Sequence, residues 1–390
     1  MPGYITHQYI CHRVLDTIGR NDPLEPLAAL ARNHHDSLAH SRAGNIDELT
    51  ESGHFVPVGC AHIGACGPDM FYPEMPYEHA AFYSDLMHYN RTGQFLVRWL
   101  LDLRDQNEML RSGLSNDLLW KFCYVVGHAT HIAADIVVHP YVNSIVTAYP
   151  LLQKLYEDFR GWNPLNIWKF HNILEAIQDS YVWHEKYQRD AGFASPSQAV
   201  NLAYGAGWFM RRQKRGRWIG FTQRAKDFYR VGVDFDVESD KYAFFSDDNF
   251  LLDCSAYFDS STPDRKQMRE WPDLVQGNLS GTQPGIFDDY IERAVALGTQ
   301  VVGEIRQFML GAERSPRFDQ PSQRHRVARA ELEEFPILGR AWNLDCGLAL
   351  AVQPNNFAMF LDDSKTKAVS VPVSLSLEGP SGGYQDDRTF

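Results

Sequence analysis

The sequence predicts a mostly all-α protein with a small C-terminal extension containing some β. Three observations lead there. Helical apolar spacing runs through about 79–112, 115–139, 146–160 and 164–188 and returns at 284–311. Val369, Val371, Val373, Leu375 and Leu377 alternate with polar positions, the period of a strand, and Pro372 puts that strand at an edge. No window reaches the ~18 uninterrupted apolar residues of a membrane span, so no transmembrane segment is expected.

Taken in order, residues 8–19 and 24–32 read as short helices. Residues 50–78, "TESGHFVPVGCAHIGACGPDMFYPEMPYE", are rich in glycine and proline and read as loop. The helix over 115–139 opens on the N-cap-type residues Ser115, Asn116 and Asp117, and Pro140 is expected to stop it. From about 190 to 280 glycine, aspartate and aromatics mix without a period, and no assignment is made. "PGIFDDYIERAVALGTQVVGEIRQFMLG" over 284–311 is the clearest amphipathic helix of the C-terminal half. "AERSPRFDQPSQR" then reads as a linker, and "GPSGGYQDDRTF" as a disordered end.

Composition narrows the setting. Of the 390 residues 44% are hydrophobic and 13% aromatic, ample for a packed interior. A formal net charge of −12 argues against general nucleic-acid binding, although a local basic patch can still act. Six cysteines are scattered with no CxxC pair and read as reduced thiols. "MPGYITHQYICHRVLDTIGR" has neither a basic n-region nor an apolar h-region, so no signal peptide is read. The expected location is cytoplasmic, or outside the cell by a signal-independent route.

The chemistry concentrates in "GHATHIAADIVVHPY" at 127–141. His131, Asp135 and His139 lie four apart, and each step drifts only ~40° around a helix, so they form one stripe. Their surroundings are apolar on nearly every side, which places the helix inside the protein. A buried imidazole or carboxylate without a partner costs several kcal/mol, so the stripe looks like a set of metal ligands. His171 and Glu175 in "KFHNILEAIQDS" repeat the spacing. Such a pair alone is more often a surface contact. Two such helices could present five N/O ligands to one cleft, which suits zinc and a multi-metal hydrolytic site. Fifteen histidines allow accidental patterns. His34, His35 and His40 read as a solvated helix end, and His12 as a core or capping residue.

"GHATHIAADIVVHPY" followed by "HNILE", with "ITHQYICHRVL" at the start and "GPDMFYP" between, resembles the zinc-dependent phospholipase C family. Its relatives include glycosylphosphatidylinositol-specific phospholipase D and the fungal single-strand-specific zinc nucleases. The resemblance covers roughly residues 2–185. It implies a helical bundle holding two to three Zn²⁺ ions in a cleft. His131 and Asp135 match the HxxxD ligands, with Asp135 bridging two ions. His139 matches the next histidine, and His171 with Glu175 the pair that completes another ion. Asp69 in "GPDMFYP" matches the aspartate that ligates metal and holds or activates the attacking water; a turn aspartate after Pro68 is the plainer alternative. His88 is preferred over His79 for a further ligand. Pro2, exposed as the chain terminus once Met1 is removed, and His7 five residues later match the terminal ligands. The chain departs from the family in lacking a terminal tryptophan. On this reading residues 1–312 form the zinc-binding catalytic domain, with an insertion at about 190–280. Residues 313–390 form the linker and extension.

The implied reaction is phosphodiester hydrolysis by activated water. In "GWFMRRQKRGRWIGF" at 207–221, Trp208, Arg211, Arg212, Arg215 and Trp218 combine cations with interfacial aromatics, which suits an anionic membrane surface. The same composition suits single-stranded nucleic acid, and a solvated loop is the plain alternative. "PDMFYP" lies closer to the phospholipase side. The expectation is therefore a phospholipase C acting on glycerophospholipid at a membrane surface, phosphatidylcholine being the candidate. The alternatives are a zinc nuclease or 3′-nucleotidase and a non-catalytic lipid-binding protein with structural zinc.

Overall fold

A computed structural model describes residues 3–46, 48, 54–71, 87–88, 92–105, 116–148, 174–175, 178–179, 181–194, 202, 286–311, 335–338, 341–344 and 348–350. Helices α1 (Tyr4–Asp16), α2 (Glu25–Arg42), α3 (Val56–Cys66), α4 (Thr92–Asp105), α5 (Asn116–Ala148) and α6 (Ile286–Gly311) form a bundle. Residues 181–191 are helical and pass through a π turn at Trp183–Tyr187. Helix α5 is the axis of the bundle and meets α1, α2, α3, α4 and α6. Its burial follows from its composition: Phe122 to Ile136 face neighbours in every direction. Among the described residues no helix is long and apolar enough to cross a membrane.

Three expectations are corrected. Residues 56–66, read as loop, are helix α3. Pro57 sits in its first turn, where a missing N–H costs nothing. All its other residues are buried, so it has no polar face and shows no amphipathic period. Its glycines serve contact rather than a turn. A β-carbon at Gly64 would fall on the Tyr124 carbonyl, and one at Gly127 on the Ala61 carbonyl. Helices α3 and α5 therefore touch backbone to backbone.

Helix α5 does not stop at Pro140 but runs through it to Ala148. An internal proline costs about 3 kcal/mol. Beyond it Tyr141 stacks on Phe287 at 5.7 Å and meets Tyr290 at 4.7 Å, and Val142 is fully buried. Burying two such side chains contributes about 1.5–3 kcal/mol each, enough to carry the helix past the proline.

Helix α2 extends to Arg42, ten residues beyond the expected end. His34, Ser37 and Ser41 line its inner face at helical spacing, and because they are polar the hydrophobic period is hidden. His34 is thus not part of a solvated end.

Near the C-terminus, β1 (Ala341–Asn343) pairs antiparallel with β2 (Leu348–Leu350), with Trp342 opposite Ala349. This region lies against the bundle. The Trp342 amide donates to Thr92 Oγ1 at 3.0 Å, and the Leu344 amide donates to the His88 carbonyl at 2.9 Å. The buried Glu304 of α6 accepts from the amides of Ile337 and Leu338. The strand expected over 369–377 lies outside the described residues, as does nearly all of 190–280. Cys11, Cys60, Cys66 and Cys123 are buried.

Candidate metal centre

Three elements converge on Asp135 of α5. His131 and His139 flank it one turn before and after. Helix α1 brings His7, and the 3-10 turn Gly67–Phe71 brings Asp69. That turn depends on Gly67, whose φ is +45° and whose β-carbon would lie 2.9 Å from the His131 ring. A residue with a side chain would be both strained and obstructed there.

The groups form one cluster, all at or near zero exposure. Around Asp135 Oδ2 stand His131 Nε2 at 3.1 Å and His88 Nε2 at 3.6 Å. His88 Nε2 is also 3.0 Å from Asp69 Oδ1, and His131 Nε2 is 4.0 Å from it. Around Asp135 Oδ1 stand His7 Nε2 at 3.3 Å and His139 Nε2 at 3.6 Å. His7 Nε2 lies 3.6 Å from Asp69 Oδ2. Ligand atoms bound at 2.0–2.1 Å to one tetrahedral zinc sit about 3.3 Å apart, so the separations of 3.3 and 3.6 Å suit a shared ion better than direct hydrogen bonds. Consistently, the Nε2 atoms of His7 and His131, Oδ1 of Asp69 and both oxygens of Asp135 are buried without a hydrogen bond. Burying such groups unsatisfied would cost several kcal/mol, and a cation would satisfy them together. The residues present fit zinc.

Protonation agrees. His131 Nδ1 lies 3.0 Å from the Ala65 carbonyl, which can only accept, so Nδ1 carries the proton and Nε2 offers its lone pair to the cluster. Burial, reinforced by the adjacent His131, lowers the His7 imidazole, which favours its neutral, ligating form. Burial alone would push the Asp135 carboxyl up. The His131 and His139 imidazoles on either side outweigh it and hold that carboxyl well below the usual range.

Of the other site residues expected from sequence, Glu175 is buried on a helical turn. Pro2, His171, His79 and the 207–221 segment with Trp208, Arg211, Arg212, Arg215 and Trp218 lie outside the described residues. His128 is buried beside the cluster with its ring 6.0 Å from that of His131, and burial holds its imidazole well below the usual range.

Asp179 was not singled out in the sequence, although it continues the spacing of four from His171 and Glu175. It accepts from the Ile5 amide at 3.1 Å, the Thr6 amide at 2.9 Å and Thr6 Oγ1 at 2.6 Å. This distant residue thereby does what an N-cap aspartate does locally, since Gly3 at the N-cap has no side chain. Burial pushes its carboxyl up to about 7 against those three bonds. Asp179→Ala should destabilise the protein by roughly 2–4 kcal/mol, combining a lost cap with stranded buried donors. Thermal unfolding would measure it, and an unchanged midpoint would remove Asp179 as the cap of α1.

Residues 61–226 match the model of the zinc-dependent phospholipase C family. Over that segment, which is less than half of the chain, the sequence is similar to the zinc-dependent phospholipase C family. The match spans Asp69, His88, His131, Asp135, His139, His171 and Glu175, whereas His7 comes from outside it and is brought in by the fold. No curated protein and no solved structure matches the chain. The family indicates a zinc-dependent hydrolase of phospholipase C type, and the His/Asp cluster fits zinc binding.

Proposed function

We propose that the protein is a phospholipase C that hydrolyses glycerophospholipids, phosphatidylcholine being the favoured substrate, into diacylglycerol and a phosphorylated head group. The observation that carries this is the buried convergence of His7, Asp69, His88, His131 and Asp135 in a chain whose residues 61–226 match that family. Asp69, His88, His131 and Oδ2 of Asp135 would hold one zinc. Oδ1 of Asp135 with His7, and with the terminal groups of Pro2, would hold another. His139, His171 and Glu175 would complete a third.

Bound zinc would supply neutralisation of phosphate charge and acidification of water. The chain's own residues do the rest. Asp69 orients the attacking water and accepts its proton, and no covalent intermediate on the protein is needed. The Ala65 carbonyl fixes the His131 ring, and the Gly67 turn keeps Asp69 facing it. The basic and aromatic residues at 207–221 would rest on the lipid surface at ~1 kcal/mol per cation.

A parallel assay tests the reading. Zinc-loaded protein should release phosphorylated head group from phosphatidylcholine vesicles, lose that activity to a chelator and regain it with zinc. Single-stranded DNA offered alongside should stay intact. Cleavage of the DNA alone would make the protein a nuclease, and vesicle binding without product would make its zinc structural.

A further inference from the structure

A second constellation sits on α1, away from the cluster at Asp135. His12 and Asp16, one turn apart on α1, meet His34 of α2. His34 Nε2 lies 2.9 Å from Asp16 Oδ1, His12 Nε2 lies 3.6 Å from Asp16 Oδ2, and the two rings are 5.0 Å apart. One ligand atom from each falls within 4.8 Å of the others. His12 and His34 are 2% and 1% exposed, while the Asp16 side chain is 39% exposed. His7 and His12 share α1 but are five residues apart, a rise of about 7.5 Å and a rotation of ~140°. The helix therefore turns one histidine to the Asp135 cluster and the other to α2.

We propose that His12, Asp16 and His34 form a separate binding site for one divalent transition metal of the zinc class, which fastens α1 to α2. Two imidazoles and a carboxylate are a zinc ligand set, and the exposed side of Asp16 leaves a path for the ion and room for a water ligand. The 3.6 Å gap from His12 to Asp16 is too long for a hydrogen bond and close to the ~3.3 Å edge of a zinc tetrahedron. Burial, with His34 beside it, keeps the His12 imidazole well below its ordinary range and so neutral and able to ligate. The site shares no residue with the Asp135 cluster, so it stands or falls separately from the proposed lipase reaction.

The test is metal counting with zinc and with cobalt(II) as a visible probe. Asp16→Asn changes the partly exposed member and leaves the core packing in place, and His34→Gln removes a nitrogen ligand. Each should bind one equivalent fewer than the wild type at matched circular dichroism. In an Asp135→Asn background cobalt should still bind, and adding Asp16→Asn should remove one equivalent along with its share of the visible absorption. Zinc should raise the unfolding midpoint of the Asp135→Asn protein, and Asp16→Asn should reduce that rise. If Asp16→Asn and His34→Gln bind as much metal as the wild type, or the Asp135→Asn protein binds no cobalt, the proposal is overturned and the three residues are a hydrogen-bonded cluster.

Discussion

Asp135→Asn should leave the protein without metal at its central cluster and without measurable turnover. The substitution preserves shape, so packing of α5 is not the variable. What changes is the charge. Asp135 is the group shared by His7, His88, His131 and His139, with one oxygen toward each pair. A neutral amide cannot serve both sides, and its NH₂ would face imidazole nitrogens that need to bind a cation. Losing the metal forfeits several kcal/mol of transition-state stabilisation, on the order of 10³-fold in rate. Elemental analysis and the vesicle assay should fall together, and added zinc should not restore them. A variant with full zinc and full activity would take Asp135 out of the centre.

Gly127→Ala should be the most damaging small substitution in the fold. Its β-carbon would land on the Ala61 carbonyl, a backbone atom that cannot rotate away. Helices α3 and α5 would have to separate, at a cost typical of overpacking, while alanine's higher helix propensity returns only about 1 kcal/mol. A net loss of roughly 2–4 kcal/mol is expected, read as a lower unfolding midpoint. Because α3 carries the Ala65 carbonyl and leads into the Gly67 turn, zinc affinity should fall as well. Gly303→Ala is the control. Nothing lies within 4 Å of its added carbon on α6, so the same change there should stabilise by about 0.5–1 kcal/mol. Equal midpoints for the two variants would contradict the backbone contact between α3 and α5.

Much of the centre was legible in the residues because its chemistry is local. His131, Asp135 and His139 lie on one helix, and a spacing of four in an apolar run is a physical signal: polar groups there need a partner. The order of "GPDMFYP", "GHATHIAADIVVHPY" and "HNILE" adds the family's pattern, and the match over 61–226 agrees with it. Helical class was readable for the same reason, since amphipathic spacing needs only neighbours along the chain.

Tertiary structure decided the rest. Helix α3 has no polar face, so its sequence carries no period, and only the backbone contact through Gly64 and Gly127 explains why glycines sit inside it. Pro140 would end a solvated helix, but Tyr141 and Val142 bury enough surface to carry α5 onward. His34 looked solvated because the inner face of α2 is polar, and its partner Asp16 lies on another helix. Asp179 capping α1, and Leu344 holding the backbone at His88, join residues more than 170 positions apart. Such pairings depend on how helices cross, and a period along one helix carries no record of its neighbour.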